Sequence, residues 1–340
     1  MDDLTGQLYA IRALSQFELT RLYCKLPVIA DDVNAPNSGM PLFNQVFDAN
    51  HKFSRATLKE TYAQIIADFT KAMTLLSKER VTASGQMNYW SAAALLSRVY
   101  FYNGDYANAL KYAEEVIKSG KYPLYTSSEY LTAWAKKGTS ESLFEVLTTD
   151  KLNAQRNSLG FYTSPDGYAE CAATDEFVAF AKARSGDVRS ELVVEKESQD
   201  GDFKAFYTNK YAGQEGASAP QYVNNFKVIR TSELYLIAAE SILRGATGSK
   251  SALEYYNELR SNRFTNYTPA TSVGLKDILD ERRIELFCEG HRMFDLMRFG
   301  QNITLPATGE TYSYKSNRLQ IAIPQREIDI AQGSLVQNPS

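Results

Sequence analysis

The chain has 340 residues, of which 44% are hydrophobic and 23% are charged. These are the values of an ordinary globular protein, and they exclude wholesale disorder. Its 37 basic and 40 acidic residues give a net charge of −3, so no basic excess favours nucleic-acid binding. Two histidines and three widely spaced cysteines exclude a histidine-rich metal site and a disulfide framework. We therefore expect neither a metal nor a cofactor.

Hydrophobic periodicity predicts a mainly α protein built from antiparallel helix pairs. The first helix is predicted to bury an apolar face of Leu8, Ile11, Leu14, Phe17, Leu19 and Leu22. Ser54 is the predicted N-cap of the second helix, and Gly290 is predicted in the middle of the last one. We predict helices over residues 5–26, 54–77, 88–103 and 105–119, a pair within 232–263 and a last helix over 275–299. The pair at 88–119 is of the tetratricopeptide type, and such pairs predict a right-handed superhelical scaffold.

One stretch interrupts this helical pattern. Residues 138–231 mix short β-prone pieces, Leu143–Leu147 and Phe203–Tyr207, with many Gly, Ser, Asn and Asp residues. A segment of this length without helical periodicity is long for a connection, and such segments are usually functional. We predict a single domain over residues 1–340, with a helical scaffold at about 5–137 and 232–300, an irregular ligand-facing segment at about 138–231, and a tail at 301–340. In the tail, residues 319–324 alternate like a short strand.

The last predicted helix is rich in charge and admits three interpretations. Glu289, His291 and Asp295 could form a metal site, although a second histidine is missing. Glu285 and Glu289 could form the carboxylate pair of a glycoside hydrolase, which requires one carboxyl with a raised pKa. The neighbouring arginines instead indicate ionised and paired carboxylates at Glu281, Glu285 and Glu289, and so a structural ion network. No catalytic residue is assigned.

The same helix carries a family resemblance. Residues Glu281–Gly300 resemble the C-terminal signature of the SusD/RagB family, which are outer-membrane nutrient-uptake lipoproteins of Bacteroidetes-type bacteria. The family's lipoprotein signal and lipidated cysteine are absent, so we expect an N-terminal truncation. Cys24 stands where the family usually has Gly, and Cys288 where it usually has an apolar residue. Six further stretches agree with the family in order: Ala10–Pro27, Ala92–Leu124, Glu141–Val146, Asp187–Arg189, Arg230–Glu240 and Ile323–Ile328.

The resemblance implies a non-enzymatic protein that binds an oligosaccharide or other nutrient on an aromatic surface. It further implies delivery of that nutrient to a SusC-like TonB-dependent transporter in the outer membrane. The lipid anchor that would hold the protein there is absent from this chain, which is expected to be soluble by itself. A helical-repeat scaffold for a protein partner and a glycoside hydrolase remain as alternatives.

Candidate ligand-binding residues follow from composition, because the family's ligand residues do not lie in a fixed motif. The 22 Tyr residues outnumber the 17 Phe and 2 Trp together, and Tyr suits stacking at half-wet surfaces. Loops on a rigid scaffold often carry binding residues. The alternative is that these rings merely pin the loop onto the helices. The candidates lie in or beside the irregular segment: Trp134, Asn157, Phe161, Tyr162, Tyr168 and Tyr222.

Overall fold

The computed structural model describes residues 1–48, 50–198, 201 and 203–339. The positions outside this description are 49, three residues of the predicted irregular segment (199, 200 and 202) and the last residue of the predicted tail (340). The helices are α1 (Asp2–Tyr23), α2 (Leu58–Leu75), α3 (Tyr89–Asn103), α4 (Tyr106–Lys118), α5 (Leu159–Tyr162), α6 (Asp175–Lys182), α7 (Thr231–Leu243), α8 (Ala252–Ser261), α9 (Leu275–Glu285), α10 (Arg292–Arg298) and α11 (Gln325–Ala331). The short strands are β1 (Ser142–Val146), β2 (Val193–Glu197), β3 (Lys204–Thr208), β4 (Phe226–Arg230), β5 (Ile303–Thr304) and β6 (Thr311–Tyr312).

The long helices stack in a continuous series, as the predicted mainly α fold requires. Each of α1, α2 and α3 packs against the helix that follows it, α4 packs against α7, and α7 contacts both α8 and α9. Residues 92–94 of α3 and Ala109 and Ala113 of α4 are fully buried, so small side chains let these helices approach closely. The helix pairs on either side of the irregular segment therefore share one core. Within the described residues, no helix is both long and apolar enough to cross a membrane.

Two details of the first helix pair differ from the sequence prediction. On α1, Leu8, Ile11 and Leu19 are exposed, because the buried side of the helix consists of smaller residues such as Ala10 and Ala13 together with Phe17. Helix α2 begins three residues later than predicted, because Ser54 is not its N-cap. Its N-cap is Thr57, whose hydroxyl accepts from the Glu60 backbone N–H while the Glu60 carboxylate accepts from the Thr57 N–H. This reciprocal capping box makes Thr57 the better helix start.

The predicted single helix over residues 275–299 is two helices separated by a turn. Helix α9 ends at Glu285 and α10 begins at Arg292. Within the turn, Cys288 has φ 59° and Gly290 has φ 81°, both left-handed. A Cβ added to Gly290 would meet nothing within 4 Å, so the glycine serves the backbone conformation and no close helix contact. We call residues 286–291 the α9–α10 turn.

The irregular segment is anchored at both ends by one antiparallel strand pair. Strand β1 pairs with β4, and β4 runs directly into α7. A second antiparallel pair joins β2 to β3. The two β-prone pieces of the sequence correspond to β1 and β3, while the short helix α6 was not predicted. In the tail, the structure has no strand at residues 319–324, so that prediction is wrong.

Candidate functional site

Four aromatic side chains of the irregular segment pack together near the surface. The Phe161 ring centre lies 5.5 Å from that of Tyr222 and 4.8 Å from that of Tyr168. Tyr168 in turn lies 5.3 Å from Tyr162. We call Phe161, Tyr162, Tyr168 and Tyr222 the aromatic cluster. Tyr168 is 44% exposed and the other three rings are half-buried, so the cluster presents ring surface to solvent.

Backbone contacts fix the loop that carries the cluster. Ser158 caps α5: its hydroxyl accepts from the Phe161 N–H at 3.2 Å and donates to the Gln221 carbonyl at 2.7 Å. The Tyr168 N–H donates to the Phe161 carbonyl at 3.0 Å. A Cβ added to Gly160 would lie 2.3 Å from Asn224 Nδ2 and 2.8 Å from the Gln221 carbonyl oxygen, so the loop packs directly on the segment before β4. The rings are therefore positioned by a framework, and they do not project from a free loop.

An open cleft of about 430 Å³ adjoins the aromatic cluster. Tyr222 belongs to both features, and Asn157 lies at the cleft as well. The floor of the cleft is part of the α9–α10 turn. Burial raises the pKa of Cys288 to about 12, which keeps this thiol neutral. The lining residues are Thr148, Ala154, Asn157, Ser158, Leu159, Tyr222, Asn224, Phe226, Cys288, Glu289 and Gly290.

Beneath the floor lies a buried ion network centred on Glu285. This carboxylate contacts Arg189 at 2.9 Å, Arg230 at 2.8 Å and Arg263 at 2.9 Å, and all four side chains are at most 1% exposed. Burial alone would raise the pKa of Glu285, but the three arginines outweigh it and hold the pKa well below its usual value. Arg263 and Arg230 also pair with Glu141 at 2.7 and 2.6 Å, which ties the start of β1 to this centre.

Glu289 connects the network to the cleft. One of its carboxylate oxygens lies 2.7 Å from both Lys210 Nζ and Arg230 Nη2, and the other accepts from Arg230 Nε at 2.9 Å. Burial lowers the pKa of Lys210, and the nearby Glu289 opposes that shift. We use the name ion network for Glu141, Arg189, Lys210, Arg230, Arg263, Glu285 and Glu289.

The network decides between the three interpretations of the charged helix. Glu285 has a lowered pKa where a hydrolytic acid needs a raised one, and both oxygens of Glu289 are already paired with cations. Asp295 is likewise paired, with Arg282 at 2.9 Å and Arg298 at 2.8 Å. These carboxylates are therefore not arranged as a metal site or as a hydrolytic pair. Their arrangement is that of a structural ion network, as the arginine pattern indicates.

The structure brings five of the six predicted site residues together and separates the sixth. Trp134 is only 4% exposed, and its ring is covered by Lys210 at 4.5 Å and Arg230 at 5.0 Å from the ring centre. Its assignment to a ligand surface is corrected, because both the burial and the overlying cations prevent it from stacking on a ligand. Asn157 and the aromatic cluster remain as candidates.

Sequence reasoning missed the other walls of the cleft. Leu159 comes from the loop that carries the aromatic cluster, whereas Asn224 and Phe226 lie before and at the start of β4. These two segments are distant in the chain and meet through the packing of Gly160 on Asn224 and Gln221. The floor was missed because the α9–α10 turn was predicted as helix. The Gly290 position was the available signal for this turn, since Gly is common where a helix ends in a left-handed residue.

Comparison with known proteins agrees with the fold. The sequence model of the protein family described as the SusD family matches residues 76–339, and a second family model, described as "Starch-binding associating with outer membrane", matches residues 1–101. SusD-like protein P2 of Formosa agariphila is 24% identical over 344 residues, which cover 87% of this chain and 65% of that protein. This chain thus spans less than two thirds of the length of that curated relative.

Solved structures give the same result. A putative sugar binding protein from Bacteroides vulgatus superposes with a TM-score of 0.87 at 32% identity, covering 100% of this chain and 77% of that one. Surface glycan-binding protein A from Bacteroides thetaiotaomicron, in complex with laminarihexaose, superposes with a TM-score of 0.73 at 24% identity, covering 98% and 77%. With a family model matching over most of its length and a structural relative this similar, the chain belongs to the SusD family.

Proposed function

We propose that this protein binds a glycan at the aromatic cluster without chemically transforming it. The observation that carries the proposal is the contiguity of four partly exposed rings beside an open cleft. The C–H faces of a sugar ring are apolar and pack on aromatic faces, while their hydroxyl groups remain in water or meet polar groups at the rim. A shallow platform of this kind suits an extended oligosaccharide.

The relatives support this choice of ligand. One structural relative is described as a putative sugar binding protein, and another was solved with laminarihexaose. The pairing of Glu285 and Glu289 with buried cations supports binding without hydrolysis. Incubation with a bound glycan should therefore release no new reducing ends.

The proposal is tested by removing single rings. We expect Phe161→Ala and Tyr222→Ala each to weaken glycan binding by about 1–2 kcal/mol, which is roughly tenfold, because each ring contributes contact area at the centre of the cluster. Retardation in gels that contain polysaccharide, followed by calorimetry with oligosaccharides, measures the effect. Tyr112→Ala is the matched control, since Tyr112 is half-buried and stacks on Tyr100 in the scaffold.

Equal binding by the two cluster variants and the control would contradict the proposed site. A failure of the unaltered protein to bind any glycan in a broad panel would contradict the proposed function itself.

We further propose that the glycan is delivered to a SusC-like TonB-dependent transporter in the outer membrane. Support comes from the family, one of whose models is described as associating with the outer membrane. Isolation of the native protein from membranes should recover such a transporter with it. Its absence from the recovered material would contradict the partnership and leave glycan binding to be judged separately.

A further inference from the structure

The cleft beside the aromatic cluster differs from the cluster in its chemistry. Its walls are formed mainly by aliphatic, aromatic and thiol groups, including those of Ala154, Leu159, Phe226 and Cys288. Cys288 contributes as a neutral thiol, since burial raises its pKa to about 12. The cleft therefore offers an apolar surface next to rings that are suited to sugar faces.

The polar side chains that border the cleft are largely engaged within the protein. Asn224 accepts from the Gly213 N–H at 2.7 Å and donates to the Pro220 carbonyl at 3.0 Å. The Ser158 hydroxyl both accepts and donates a hydrogen bond, and Glu289 is held by Lys210 and Arg230. A sugar hydroxyl that entered this cleft would leave water without gaining an equivalent partner, which is unfavourable.

Two lining residues are exceptions: Tyr222 of the aromatic cluster, whose hydroxyl has no hydrogen-bond partner among the described residues, and Asn157 at the edge of the cleft. The Asn157 side chain is exposed, and among the described residues its amide group has no hydrogen-bond partner in the protein. An amide of this kind can donate to a carbonyl oxygen of a ligand. The cleft thus combines apolar walls with one available amide.

We propose that the cleft receives a methyl group carried by the bound glycan, in an acetyl substituent or at C6 of a 6-deoxy sugar. This inference rests on the proposed glycan binding and names the class of glycan that the site prefers. The glycan backbone lies on the aromatic cluster, and the methyl group enters between Leu159 and Phe226. For an acetyl group, Asn157 donates a hydrogen bond to the carbonyl oxygen.

Matched ligands test the inference. Acetylated glucomannan oligomers are compared with the same oligomers after removal of their acetyl groups by mild alkali. We expect the acetylated oligomers to bind about tenfold more tightly or better, in line with the effect of a methyl-sized group in an apolar pocket. L-fucose and L-galactose, which differ in the hydroxyl at C6, are compared as competitors for the same site, and L-fucose should compete more strongly.

One variant tests where the methyl group binds, and a second distinguishes its two sources. Leu159→Asn places a polar group of similar size on the cleft wall and should abolish both preferences. Leu152→Asn is the matched control, because Leu152 is 76% exposed and lies outside the cleft lining. Asn157→Ala should weaken binding of the acetylated oligomers several-fold and leave the preference for L-fucose over L-galactose unchanged.

The outcomes separate this inference from the proposed function. Equal or tighter binding of the deacetylated oligomers, with no preference for L-fucose, overturns the methyl preference and leaves glycan binding in place. A preference that survives Leu159→Asn also overturns it, because the methyl group then binds elsewhere. Failure of every probe overturns the inference, whereas the broad glycan panel decides the proposed function.

Discussion

The ion network and the aromatic cluster lie on either side of one cleft floor, yet they are built in opposite ways. The network consists of charged side chains that are almost completely buried and paired with one another. The cluster consists of rings that are partly exposed and positioned through the backbone of their loop. A charge that is committed to a partner cannot recognise a ligand without losing that partner. The face of an aromatic ring needs no charged partner, and it can therefore remain exposed to a sugar. Stability and binding should accordingly respond to different substitutions.

The largest expected effect is on the network. Glu285→Gln leaves three buried arginines without their central carboxylate, and we expect it to lower the free energy of unfolding by about 3–5 kcal/mol. The matched control is Glu176→Gln, which breaks an Arg283 contact at 2.8 Å in which Glu176 is 77% exposed. The control should change the unfolding free energy by less than about 1 kcal/mol. Chemical denaturation measures both, and similar losses in the two variants would contradict the structural role of the network.

An intermediate effect is expected where the loop of the cluster meets the framework. Gly160→Ala forces the loop away from Asn224 and Gln221, and we expect a loss of about 1–3 kcal/mol in stability together with weaker glycan binding. Gly216→Ala is the control, because Gly216 has φ 81° with nothing within 4 Å of an added Cβ. The control should lose stability through backbone strain and retain binding. Calorimetry with a bound glycan measures both affinities, and equal affinities for the Gly160→Ala and Gly216→Ala variants would contradict this prediction.

The smallest expected effect is a pH dependence that belongs to the framework. Burial, followed by the charges of Arg98 and Arg282, holds the pKa of His291 well below its usual value of 6.5. Below pH 6.5 the unfolded chain takes up a proton at His291 and the folded chain does not, so stability decreases as the pH falls. We expect a loss of about 1 kcal/mol between pH 6.5 and about 5.5.

That interval isolates the histidine from the network. The stability that Glu285 contributes through its lowered pKa is lost only as the pH falls below the ordinary carboxyl pKa of 4.5. Urea unfolding at the two pH values should show the dependence in the unaltered protein and in His51→Asn, since His51 is exposed. It should be absent in His291→Asn, whatever the absolute stability of that variant. If the pH dependence of stability is unchanged in His291→Asn, another titrating group causes it.

Much of the scaffold follows from local sequence signals. The α3–α4 hairpin was predicted almost to the residue, because Asn88 and Asp105 cap its helices and Gly104 forms the left-handed turn between them. The α9–α10 break was not predicted, because apolar residues recur on both sides of it, and Ile278 of α9 packs on the same core as Phe294 and Met297 of α10. Periodicity reports which residues are buried and does not report whether the backbone between them stays helical.

The rings of the candidate site could be nominated from the sequence, whereas the cleft beside them could not, and the role of the rings in binding stays a prediction. Composition selected the residues of the aromatic cluster, since loop residues between helices are mostly near the surface. The same reasoning failed for Trp134, whose position under Lys210 and Arg230 depends on contacts between distant parts of the chain. The cleft itself is formed by three separate segments, and their meeting is a property of the tertiary fold.

The α9–α10 turn forms a part of the candidate site that should tolerate little substitution, whereas the wall across from it should tolerate more. Cys288, Glu289 and Gly290 of this turn line the cleft floor. The turn is held in place from below because the Glu285 carbonyl and the Glu289 carboxylate both accept from Lys210 and Arg230. The opposite wall, over residues 154–159, makes none of these ionic contacts. Engineers who seek a different ligand preference should therefore vary residues 154–157 and Leu159, keep Ser158 because it holds the loop of the aromatic cluster to Gln221, and leave the turn untouched, much as antibody loops are diversified on a fixed frame.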